Sequence, residues 1–214
     1  MATSSARSSA SEAKQRFDET AGVLSVERAK AARALEKSVM AELPALKLER
    51  AEFIAEINTD AGLPGENGID FVEFYVRTNP GTKAGPMMKT ASGGELSRFL
   101  LALKVALADK GSAPTLVFDE IDTGVGGAVA DAIGQRLKRL AGKVQVLSVT
   151  HAPQVAARAD QHLLIAKAEA GRSMATSVAH MDIGERQEEI ARMLAGASVT
   201  DEARAAAGRL MAAG

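Results

Sequence analysis

The chain has 214 residues, 46% hydrophobic and 25% charged, enough for one substantial globular domain with or without an appendage. Its 26 Lys and Arg against 27 Asp and Glu leave a formal charge of −1, which excludes a global basic footprint for nucleic acid, and zero cysteines exclude a disulfide framework and a cysteine metal site. No run approaches the ~18 apolar residues that span a bilayer and the start lacks the apolar block of a secretory signal, so the expectation is a soluble, cytoplasmic protein with no membrane partner.

Residues 1 to 10 (MATSSARSSA) are small and polar and are expected to be a disordered start. From Phe17 the positions Phe17, Ala21, Leu24, Arg28, Ala31, Leu35 and Ser38 follow a four-three spacing, a heptad seam with Arg28 and Ser38 as poor members. Either the end of a coiled coil or an ordinary amphipathic helix packed on its own domain fits this pattern, and Pro44 interrupts it. "EFIAEI" (52–57) and "GIDFVEFYVRTNPG" (68–81) read as two strands joined by a loop carrying Gly62, Pro64, Gly65 and Asn67, with Val72, Phe74 and Val76 on one face. Strand and helix then alternate: "TLVF" (115–118), a helix over 127–140, "VQVLSVT" (144–150), a short helix near 152–159 and "HLLIAK" (162–167). That rhythm predicts an α/β fold with a mostly parallel sheet flanked by helices. A further strand at 174–181 and helices at 185–194 and 201–211 close the chain.

Three stretches carry possible chemistry. Ser92-Gly93-Gly94-Glu95 opens a helix whose Leu96, Phe99, Leu100, Leu103 and Leu107 share an apolar face, with Ser92 and Glu95 in capping-box spacing. Glycines at a helix mouth leave amides open to an anion, although for a lone Ser-Gly-Gly a tight turn needing positive φ is the better explanation. In "TLVFDEIDTG" the carboxylates Asp119 and Glu120 emerge where an apolar strand ends, which is where ligands sit on an open parallel sheet. An acid there suits Mg²⁺ and a second can orient or deprotonate water, while solvated loop acids are the ordinary alternative. "VQVLSVTHAPQVA" repeats the geometry and presents His151 at the same sheet edge.

Together, "SGGELSR" (92–98), "TLVFDEIDTGVGG" (115–127) and "VTHAPQVAARAD" (149–160) resemble the signature, the Walker B strand with catalytic Glu and D-loop, and the switch histidine of ABC-type ATPases. With "GIDFVEFYVRTNPG" and the late "ERQEEIARMLAG", the order and spacing resemble the C-terminal half of the RecN family of bacterial DNA-repair proteins, which are SMC-like, from about Ala29 onward. The resemblance implies that Ser92, Gly93, Gly94 and Glu95 form the signature facing the γ-phosphate of ATP held by a second head, and that Asp119 helps hold Mg²⁺. It further implies that Glu120 polarises the attacking water, that His151 senses the γ-phosphate, and that Asp122 lies in a D-loop crossing the dimer interface. Residues 11–48 would be the returning coiled-coil arm and 49–214 the C-terminal lobe of the head. Implied partners are its own N-terminal head lobe, a second head in an ATP-dependent homodimer, and DNA, with association to the nucleoid.

No G-x-x-x-x-G-K-[ST] occurs: Gly142-Lys143 is followed by Val144, with Leu137 in place of the first glycine. The expectation is a lobe that neither binds ATP tightly nor hydrolyses it alone. Two other readings stand beside it, a non-enzymatic docking module of a split head and a Mg²⁺-dependent nuclease using Asp119, Glu120 and Asp122. Lys83, Lys89, Arg98, Lys104, Lys138 and Arg139 are scattered and read mostly as solvated surface; a phosphate-tracking patch among them would show as salt-dependent DNA binding.

Overall fold

The computed structural model describes residues 4–108, 110, 113–119, 121–170, 173–196 and 198–213. The chain forms two compact units, Met1–Pro44 with Leu48–Ser92, and Ala45–Lys47 with Gly93–Gly214.

The first unit begins with a 39-residue helix, α1 (Ser4–Glu42), which already includes residues 4–10 of the expected disordered start. Nothing stops it there, because the Ala, Ser and Arg of that stretch include no Gly or Pro. Three strands follow, β1 (Glu52–Thr59), β2 (Asp70–Arg77) and the short β3 (Gly85–Pro86), in the order β1-β2-β3 and all antiparallel. A short helix α2 (Met87–Thr90) ends the unit.

α1 packs on β1, and its covered stripe runs through Phe17, Ala21, Ser25, Arg28, Ala32, Leu35 and Val39. This corrects the expected seam: Leu24, Ala31 and Ser38 are exposed and their neighbours Ser25, Ala32 and Val39 turn inward. The physical reason is Asp70, whose fully buried carboxylate accepts hydrogen bonds from Ser25 Oγ (2.8 Å), Arg28 Nη1 (2.9 Å) and Thr59 Oγ1 (2.9 Å). A buried carboxylate is costly without partners, so it fixes the rotation of the helix. Apolar closure comes from Val39, Leu43, Phe53 and Val76, each nearly inaccessible. Burying such side chains contributes about 1.5–3 kcal/mol apiece. Along β2 the expected apolar face fades from buried Val76 to exposed Val72. The free edge of β1 is closed by α1, where Glu36 Oε1 accepts from the Ala55 amide (2.8 Å) and Met40 Sδ lies 3.3 Å from the Phe53 amide.

The second unit contains α3 (Gly93–Ala106), β4 (Thr115–Asp119), α4 (Gly127–Ala141), β5 (Gln145–Val149), α5 (Pro153–Ala157), β6 (Leu163–Ala170), β7 (Ser173–His180), α6 (Ile183–Ala195) and α7 (Asp201–Ala212). β4 and β5 are parallel, with Asp119 opposite Val149. α4 is the crossover between them, and its Ala130, Ile133, Leu137 and Leu140 are buried with Leu116 and Phe118 of β4. The strand expected at 162–167 does not extend that parallel pair; β6 forms an antiparallel hairpin with β7. With two residues between Ala170 and Ser173, β6 and β7 can pair only as an antiparallel hairpin. Ala156 and Ala157 of α5, Ile190 and Ala191 of α6 and Ala207 of α7 make a second apolar core. α6 starts at a full capping box, with Asp182 accepting from the Glu185 amide and Glu185 accepting from the Asp182 amide, both at 2.8 Å.

Candidate functional site

The parallel pair decides where the sequence-expected site residues fall. Asp119 is the last residue of β4 and its side chain is exposed; His151, also exposed, stands two residues beyond the end of β5, which closes at Val149 rather than Thr150. Adjacent parallel strands lie about 4.8 Å apart, so both residues leave the sheet at the same carboxyl edge. Glu120 lies outside the described residues.

Asp122 does not point outward with Asp119. After β4, Ile121 is fully buried and Asp122 is only 2% exposed. Asp122 Oδ2 accepts from the Thr150 hydroxyl and from the Ala152 amide (3.0 Å), and the same amide also reaches Thr150 Oγ1 (3.0 Å). Its other oxygen, Oδ1, is buried and has no partner among the described residues. A turn follows, closed at Gly124, whose φ of +71° favours glycine. Asp122 Oδ2 is thus engaged within this unit, by groups from the turn after β5. Asp122 is buried where Asp119 is exposed, so these two acids of the nuclease reading stand in different environments.

Ser92 immediately precedes α3, and Gly93 and Gly94 form its first turn with Glu95. A Cβ on Gly93 would meet nothing within 4 Å, so that side of the helix mouth is open. A Cβ on Gly94 would stand 3.4 Å from Arg98 Nη1 and 3.6 Å from the Thr123 carbonyl, which brings the start of α3 against the turn after β4. Arg98 is half-buried, and desolvation lowers its pKa from the usual value, against the opposing charge of Glu95. Open amides at a helix start suit an anion, and an exposed carboxylate at a strand end suits Mg²⁺. These residues thus fit part of a site for ATP and Mg²⁺. The cleft beside Asp119, lined by Ser97, Leu100 and Lys104 of α3 and residues 116–119 of β4, has a volume of about 190 Å³. That is below the roughly 300–1,000 Å³ of small-ligand pockets.

Sequence reasoning missed the features that hold the His151 segment. Downstream of it, α5 lies against α4, where Arg158 Nε (3.0 Å) and Nη2 (2.8 Å) both donate to Asp131 Oδ1. Gly134 permits the approach, since a Cβ there would come within 3.0 Å of the Gln154 carbonyl. A glycine inside an apolar helix face was the available signal.

No family model matches the chain. The DNA repair protein RecN of Rickettsia conorii is 46% identical over 197 residues, covering 92% of this chain and 36% of the relative. RecN of Xylella fastidiosa (strain 9a5c) is 42% identical over 202 residues, with coverages of 94% and 36%. The chain belongs to the RecN family. It spans about a third of the length of these curated RecN relatives. Among solved structures, the Smc head domain from Pyrococcus furiosus, with an extended coiled coil and bound to the C-terminal domain of ScpA, aligns with TM-score 0.55 at 18% identity, covering 86% of this chain and 42% of that one. A chain from work on ATP-driven dimerization and DNA-stimulated activation of SMC ATPases aligns with TM-score 0.50 at 15% identity, covering 79% of this chain and 96% of that one. The chain therefore has the SMC-head fold, with a long helix and a helix-flanked parallel pair among its mixed α/β elements. No helix among the described residues is long and apolar enough to cross a membrane.

Proposed function

We propose that this chain supplies the signature, Walker B and switch-histidine half of a composite ATPase head that serves DNA double-strand-break repair and recombination. The observation that carries the reading is the shared carboxyl edge of β4 and β5, where Asp119 and His151 emerge side by side. Bound Mg²⁺ would supply charge neutralisation for the phosphates. Asp119 would hold it through its water shell. Glu120 would accept a proton from water, and His151 would hydrogen-bond a phosphate oxygen. The helix start at Gly93 and Gly94, with Ser92 and Glu95, would face the γ-phosphate of nucleotide held by a second head, in a homodimer.

Support for incompleteness comes from the outer face of the parallel pair. Val117, Leu147 and Val149 are 67%, 46% and 52% exposed, and the register places Val117 beside Leu147. Parallel sheets are normally covered on both faces. The reading assigns that face, and the phosphate-binding loop that the sequence lacks, to the N-terminal lobe of the head. DNA contact is assigned to the complete protein.

The test is Mg²⁺-ATP hydrolysis by the chain alone and by the chain assembled with the N-terminal lobe of a RecN relative, with Glu120→Gln as control. Hydrolysis only in the assembly, lost by a factor of at least about 100 in the variant, is expected. Hydrolysis by the chain alone, or a folded assembly that stays inactive, overturns the reading.

A further inference from the structure

Two turns leave the carboxyl edge of the parallel pair, one after β4 and one after β5, and nothing in their local sequence requires them to move together. Asp122 makes them one object. It is nine-tenths and more buried, and both of its contacts fall on the two residues that flank His151: the hydroxyl of Thr150 on one side and the amide of Ala152 on the other. The Ala152 amide is shared with Thr150 Oγ1, so the three groups close a small ring beneath the histidine backbone. His151 itself stays exposed. Downstream, α5 is fastened to α4 by the Arg158 to Asp131 pair and by the close approach at Gly134, which leaves the segment around His151 held from both ends.

We infer that Asp122 and Thr150 are positioning residues, a clamp that fixes the backbone carrying His151 relative to the end of β4 and so relative to Asp119. The inference rests on the ATPase reading for what His151 does, and on geometry alone for how it is held. The physical basis is that a buried carboxylate oxygen is costly without donors, and both donors to Asp122 Oδ2 belong to the neighbouring turn. Rotation of the His151 backbone would strip Asp122 of both donors at once. The histidine is thereby confined without being buried, which leaves its imidazole free to meet a ligand.

The experiment uses the 214-residue chain with labelled histidine and backbone amides. Thr150→Val keeps the shape of the side chain and removes the hydroxyl. The expected result is a displaced or broadened His151 imidazole signal and an Ala152 amide that exchanges about tenfold faster, the loss of roughly one hydrogen bond. The signals of His162 and His180 stay in place as internal controls for folding. Thr150→Ser keeps the hydroxyl and restores the His151 signal, and Asp122→Ala reproduces the Val effect by a second route. An unchanged His151 signal and Ala152 exchange in both Thr150→Val and Asp122→Ala overturns the clamp. In the assembled ATPase, Thr150→Val is expected to lower kcat with KM for ATP nearly unchanged. If the His151 signal is displaced while His151→Ala leaves kcat intact in the assembly, the clamp stands and the catalytic reading of His151 falls.

Discussion

Gly134 offers the sharpest test of how the site is supported. It lies inside α4, where alanine would ordinarily be preferred by about 0.8–1 kcal/mol. Here a Cβ would stand 2.9 Å from Arg158 Cδ, 3.0 Å from the Gln154 carbonyl oxygen and 3.3 Å from Val155 Cα. Two of those atoms are backbone, and the third belongs to a side chain whose guanidinium is held by Asp131 and by the Ala213 carbonyl at 3.0 Å. None can swing aside, so Gly134→Ala should carry the upper part of the ~1–3 kcal/mol cost of overpacking. Net of the helix preference, the variant should be less stable by about 1–2 kcal/mol, a fall in Tm of roughly 2–8 °C for a chain of this size. Gly22→Ala in α1 is the matched control, because its Cβ would meet nothing within 4 Å. With no contact to set against the helix preference, Gly22→Ala should leave Tm unchanged or raised. The assay is thermal unfolding by circular dichroism, with amide shifts over Ala152 to Arg158 recorded alongside. If Gly134→Ala equals or exceeds the parent in Tm, the tight α4–α5 seat that holds the His151 segment is refuted.

Three other outcomes follow from the structure. Leu147→Gln, on the outer face of β4 and β5, should change stability by no more than about 0.5 kcal/mol, reduce self-association in sedimentation, and weaken assembly with an N-terminal lobe. Asp70 titrates below its ordinary value of 3.8, chiefly through the hydrogen bond from Arg28 and then that from Ser25. Its contribution to stability is present above that pH and is lost as pH falls through the lowered folded value, and Asp70→Asn should remove that acid limb from a plot of stability against pH. His162 is held below its ordinary value of 6.5 by burial first and by the nearby Arg186, with Glu189 opposing. A depressed histidine favours the folded state fully above pH 6.5 and loses that contribution as pH falls through its folded value, so His162→Gln should flatten the slope of Tm just below pH 6.5.

The strand ends were readable because an apolar run followed at once by acids or histidine is a local pattern, and β4 and β5 lie within a residue or two of their expected limits. The phase of α1 was not. Ala31 and Ala32 are alike to any hydrophobicity argument, and the choice between Leu24 and Ser25 goes against it. A carboxylate 45 residues from Ser25 in sequence decides the matter, which no helix-period reading contains. The partner of β6 was not readable for a related reason: strand content is local, whereas the choice of pairing partner is not.

The three acids at the end of β4 and just beyond it show how far local chemistry can go. Read as a string, Asp119, Glu120 and Asp122 form one acidic cluster facing solvent. Ile121 is the residue that separates them, because an apolar side chain placed among carboxylates must find a core, and it does so with complete burial. Once Ile121 turns the chain inward, Asp122 follows it into the lobe and must find donors there, and Thr150 and Ala152 provide them. Asp119, still on the strand, keeps its exposure. A single isoleucine thus divides one acidic run into a solvent-facing carboxylate suited to a metal-bound phosphate and a buried one suited to holding a histidine in place.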